Sequence, residues 1–71
     1  MKLECEVRDG RYFLFAQEGP DRWQILAPGA SAREEREGYT RRRALEVALL
    51  AGFSTAQAER AIRKGEAELN G

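Results

Sequence analysis

The sequence predicts an α+β domain, a three-stranded antiparallel β-meander followed by two packed C-terminal α-helices. Three observations carry this. Residues 2–8 alternate charged and apolar side chains with a period of two, the mark of a half-buried strand. Asp9-Gly10 then supplies the dipeptide that a two-residue type I′ hairpin turn favours. Residues 41–69 are rich in helix formers and are broken once, at Gly52-Phe53-Ser54.

In the first strand Leu3, Cys5 and Val7 share a face, and Lys2, Glu4, Glu6 and Arg8 take the other. Arg11-Tyr12-Phe13-Leu14-Phe15-Ala16 is the return strand. With Asp9-Gly10 as the loop, Arg8 opposes Arg11, Val7 opposes Tyr12, Cys5 opposes Leu14 and Leu3 opposes Ala16. The same register places Phe13 and Phe15 on the charged face, beside Glu6 and Glu4. Glu18-Gly19-Pro20-Asp21 reads as a turn. Arg22-Trp23-Gln24-Ile25-Leu26-Ala27 reads as a third strand with Trp23 and Ile25 on one side, stopped by Pro28-Gly29. Ser31-Ala32-Arg33-Glu34 is a capping box that can start a short helix through Glu37. That helix has almost no apolar face, which predicts a solvated turn of helix or a mobile loop.

Thr40 is the expected N-cap of the first long helix, whose apolar stripe is Leu45, Ala48 and Leu49, widened by Val47 and Leu50. Gly52 is its expected stop. Ser54-Thr55-Ala56-Gln57 forms a second capping box, after which Ala58, Ala61, Ile62, Gly65 and Leu69 lie on one helical face. Small residues on that face favour close packing. The expected core is Leu3, Cys5, Val7, Tyr12, Leu14, Ile25, Leu45, Ala48, Leu49, Phe53, Ala58, Ile62 and Leu69.

Seventy-one residues are expected to form one domain over 1–71, with the meander in 1–28, a connection in 29–40 and the helical pair in 41–69. A chain this short buries only about 60% of its unfolded surface, so it depends on close helix packing, surface charge or self-association. The abundance of Arg, Glu, Ala and Leu resembles the composition of thermophilic bacterial proteins. A single Cys and no His fit a reducing compartment, and no apolar run is long enough to span a bilayer, so the cytoplasm is expected. The formal charge is zero but unevenly placed: residues 1–38 carry six basic and eight acidic groups, residues 39–71 six basic and four acidic. The basic C-terminal half permits nucleic-acid binding.

Two family resemblances fall on the helical pair, each covering under half of the chain. Gly52-Phe53-Ser54-x-x-Gln57-Ala58-x-x-Ala61-Ile62 resembles the first loop and second helix of UBA-type domains. That resemblance implies a protein-interaction module working through the helical loop. Ser54 to Gly65, ending in Ile62-Arg63-Lys64-Gly65, resembles the recognition helix of excisionase-like or MerR-like helix-turn-helix proteins, which implies DNA binding.

Little here suggests catalysis. There is no His, and Cys5 lies on the inward face of a strand, so the chain is expected to be no enzyme and to carry no cofactor or metal. Arg41-Arg42-Arg43 is the sharpest charged feature, because the helix macrodipole disfavours cations in a first turn. Two readings stand. The arginines pair with Glu34, Glu35, Glu37 and Glu46, or they form an anion site that Arg60, Arg63 and Lys64 extend. In a helix-turn-helix, Gln57 is the conventional base reader and the cations hold phosphates. Phe13 and Phe15 have three readings. A later segment or Trp23 covers them; the face, with Trp23, docks a protein partner or a second copy; or the rings stack single-stranded nucleic acid. The leading expectation is therefore a nucleic-acid-associated binding module, contacting DNA or RNA through Arg41, Arg42, Arg43, Gln57, Arg60, Arg63 and Lys64. The alternative is a protein-interaction or homodimerisation module using Phe13, Phe15 and Trp23 or the helical loop.

Overall fold

The structure, a computed structural model, describes residues 1–69. Strands β1 (Lys2–Arg8), β2 (Arg11–Glu18) and β3 (Asp21–Gln24) form one antiparallel sheet in the order β1-β2-β3. Helices α1 (Ala32–Glu37), α2 (Arg41–Leu50) and α3 (Thr55–Leu69) follow. The hairpin register is the one its turn dictates, with Arg8 opposite Arg11, Val7 opposite Tyr12, Cys5 opposite Leu14 and Leu3 opposite Ala16. Asp9 and Gly10 both take positive φ, 50° and 74°, as a type I′ turn requires.

The long helices share the sheet face that carries Leu3, Cys5, Leu14 and Ala16, with α3 against β1 and α2 against β2. Thr40 caps α2 by accepting from the Arg43 amide at 3.2 Å. Its far end closes in a Schellman motif: the Gly52 amide donates to the Leu49 carbonyl and the Phe53 amide to that of Ala48, with Gly52 at φ 98°. The Ser54–Gln57 capping box opens α3 with both reciprocal bonds, at 2.9 and 3.1 Å. Gly65 lets α3 touch β1, since a Cβ there would lie 2.6 Å from the Cys5 carbonyl oxygen.

The core differs from expectation in how α2 is rotated. Its buried residues are Ala44, Val47 and Ala48; Leu45 is half-buried, while Leu49 and Leu50 are 42% and 67% exposed. The smaller side chains face inward because α2 sits close to both β2 and α3, where alanine fits and leucine does not. Leu69, also expected inside, is exposed at the last described turn of α3. Tyr39, not expected, is among the largest fully buried side chains. Its backbone exchanges two hydrogen bonds with Tyr12, at 2.7 and 2.8 Å, and its hydroxyl accepts from the Ala27 amide and donates to the Ile25 carbonyl.

The third strand stops at Gln24, three residues early, although the Ile25 amide still donates to the Leu14 carbonyl. Beyond Leu14, the edge position beside β2 is taken by Tyr39. The opposite sheet face is partly covered by the chain itself. Phe13 is buried there, with Gly38 so close that a Cβ would meet its ring at 2.9 Å and the Tyr12 carbonyl at 2.8 Å. Arg11 fixes this crossing by donating to the carbonyls of Glu37 and Gly38, and Gln24 donates to that of Glu35.

Candidate functional site

The structure separates the cations that the sequence groups together. Arg41 donates from Nε to Glu66 at 3.0 Å, and Tyr12 donates its hydroxyl to the same carboxylate oxygen at 2.5 Å. Arg43 contacts Glu34 at 3.4 Å and Glu46 at 3.2 Å. The pairing expected with Glu34, Glu35, Glu37 and Glu46 is thus met by Arg43 alone, through Glu34 and Glu46, while Arg41 is held by Glu66, a partner outside that reading. These contacts offset the unfavourable placement of cations in the first turn of α2. Gln57 gives its carbonyl oxygen to the capping box, so that atom is not free to read a base. Arg42, Arg60, Arg63 and Lys64 make no ion pair among the described residues and are exposed, although Arg63 lies near enough to act on Glu66 electrostatically.

The Tyr12 hydroxyl and then the Arg41 guanidinium hold the Glu66 carboxyl below its ordinary 4.5. A depressed carboxylate stabilises the fold fully above its unfolded pKa, and that contribution fades as the pH falls through the folded value. Stability measured by chemical denaturation should therefore decline below about pH 4.5, and Glu66→Gln should flatten that part of the profile.

Arg60 and Lys64 stand four residues apart on α3, on the flank that meets the start of β1. Together with Lys2 and Gln57 they line an open depression of about 320 Å3 floored by Leu3 and Ala61. No carboxylate lines it, although Lys2 and Lys64 also border the neighbouring groove along β1, where Glu4, Glu6 and Glu68 stand. Lys2 was not singled out from the sequence. It sits on the charged face of an edge strand, and only the packing of α3 on β1 brings it to Arg60 and Lys64. Arg63 leaves α3 on the side of Glu66 and is not part of this group.

Of the three readings of the aromatic face, cover by a later segment is the one that Phe13 follows. Phe13 is buried with Gly38 against its ring, and the Arg8 guanidinium lies over it at 4.4 Å. Phe15 is half-buried with the Arg22 guanidinium at 3.9 Å over its ring, and Arg22 also reaches Glu4 and Glu6. Each cation–π contact contributes about 0.5–1 kcal/mol at such partly exposed sites, so the rings are occupied by the chain's own cations. Trp23 is not their neighbour. It pairs with Ala16, which places it on the helix side of the sheet. There it is 43% exposed and lines a second depression with Met1, Leu26, Ala51 and Phe53. Phe53 is itself buried, so the α2–α3 loop offers no aromatic side chain of its own.

Comparison with protein-family models, curated proteins and solved structures finds no match. The site's chemistry must be read from its own residues. Cys5 lies buried beneath α3, where burial and then the charges of Glu66, Glu6 and Glu68 push its thiol up to about 12, far from the thiolate that nucleophilic chemistry needs. Among the described residues no group of three or more His, Cys, Asp or Glu side chains is placed to hold a metal ion. None of the described helices is long and apolar enough to cross a membrane.

Proposed function

We propose that the chain is a small nucleic-acid-associated module that holds a phosphodiester backbone in the depression between β1 and α3. The supporting observation is the convergence of Lys2, Arg60 and Lys64, none of them engaged in an ion pair among the described residues, on a hollow without a carboxylate. Cations held side by side repel one another, and an anionic ligand relieves that repulsion. Release of its counterions then adds to the affinity. Gln57 keeps its side-chain N–H groups for a phosphate or sugar oxygen. This moves the phosphate contacts off the arginine run of α2, where two of three guanidinium groups are already held by carboxylates.

The test is binding to fluorescently labelled oligonucleotides across a salt series. The wild-type affinity should fall linearly on a log–log plot. The triple variant Lys2→Gln, Arg60→Gln, Lys64→Gln should reduce that slope by about 2–3, while Arg41→Gln and Arg43→Gln should leave it nearly unchanged. Retention of the full slope by the triple variant would refute the assignment.

A further inference from the structure

We infer that the nucleic acid received by this site is a single strand, and that one of its unstacked bases lies on Trp23. The inference rests on the phosphate-binding reading above and deepens it. Leu3, Ala16 and Trp23 form one cross-strand row on the helix side, Leu3 pairing with Ala16 and Ala16 with Trp23. Two interstrand spacings separate the ends of that row, roughly 10 Å. Leu3 belongs to the cationic depression and Trp23 to the apolar one, and Met1 lines both. The two hollows are therefore parts of one continuous surface at a single end of the sheet.

With α3 on β1 and α2 on β2, β3 has no comparable helix cover, so an indole on the helix side of β3 is left part-exposed. The apolar hollow is about 350 Å3 and shallow, with Leu26 beside the indole at 41% exposure. A cationic track next to an exposed aromatic surface is the pairing that single-stranded nucleic acid requires: phosphates follow the cations while a base stacks on the ring. A duplex cannot use it fully, because its bases are already paired and stacked and present no free π-face. The rings of Phe13 and Phe15 cannot serve in place of Trp23, since guanidinium groups already lie over them.

Trp23 is the chain's only tryptophan, so its fluorescence reports this site alone. The experiment titrates the protein with a single-stranded oligonucleotide of mixed sequence and with the matching duplex of equal length, following both oligonucleotide anisotropy and tryptophan emission, with sedimentation of the protein alone. The expected result is tighter binding of the single strand, quenching of Trp23 on binding, and a loss of about tenfold in single-strand affinity for Trp23→Ala. Trp23→Phe should recover part of that loss, because a phenyl ring also stacks. Duplex affinity should be little changed by either variant. Equal binding of both forms without quenching, still abolished by the triple cation variant, would overturn the single-strand inference and leave the phosphate site standing. Absence of any nucleic-acid binding would overturn both. A concentration-dependent dimer whose formation shifts Trp23 emission would assign the indole to a second copy and also overturn the inference.

Discussion

Replacing Tyr39 by alanine is expected to leave the chain largely unfolded at room temperature. The side chain is 1% exposed and packs among the residues that join sheet and helices. Truncating a buried aromatic residue to alanine costs about 3–5 kcal/mol. The hydroxyl adds to this, because removing it leaves the Ala27 amide and the Ile25 carbonyl without their partner. A domain of this length has about 4–10 kcal/mol of stability in all, so the loss approaches the whole. Tyr39→Phe isolates the polar part and should cost about 1–3 kcal/mol. Urea denaturation followed by circular dichroism checks both. A Tyr39→Ala variant that melted only a few degrees below wild type would show that the residue does not anchor the core.

Gly65→Ala should destabilise where general rules predict the opposite. In an exposed helix interior, glycine to alanine gains about 1 kcal/mol. Here the new methyl group would lie 2.6 Å from the Cys5 carbonyl oxygen and 3.2 Å from its carbon. Both are backbone atoms of a paired strand, so neither can rotate aside. Helix α3 would have to lift from β1, and overpacking of this kind costs about 1–3 kcal/mol or more. Gly65→Val should cost more still. Equilibrium unfolding is the measurement, and a rise in stability for Gly65→Ala would mean that the two elements are not in such close contact. A displaced α3 would also spread Lys64 from Lys2, coupling this packing to the cationic hollow.

The parts of the fold written in adjacent residues were legible in the sequence. Asp9-Gly10 fixes the hairpin register, and the Ser31–Glu34, Thr40 and Ser54–Gln57 caps each form where local chemistry requires. Features set by distant contacts were not. Tyr39 stands alone in a polar connection, with no periodic neighbours to mark it as buried. The rotation of α2 is decided by how close it lies to β2 and α3, and hydrophobicity alone favours leucine over alanine. Phe13 has a glycine backbone and an arginine against its ring, which no apolar pattern announces. Of the cationic site, Arg60 and Lys64 could be named from their spacing on a helix. Lys2 could not, since its place depends on which strand α3 covers.

The bond between Tyr39 and Tyr12 has a consequence for the stretch that precedes it. Ile25 and Tyr39 dock on β2 at Leu14 and Tyr12, two positions apart, so the intervening residues leave the sheet and return through a mouth roughly 7 Å wide. The Tyr39 hydroxyl, bonded to Ile25 and Ala27, ties that mouth shut. Such an Ω-shaped excursion can be lengthened at little entropic cost, because each doubling of a closed loop adds only about 0.6 kcal/mol. The exposed turn at Pro28 and Gly29, just beyond the Ala27 anchor, is thus the natural place to graft a peptide or a tag.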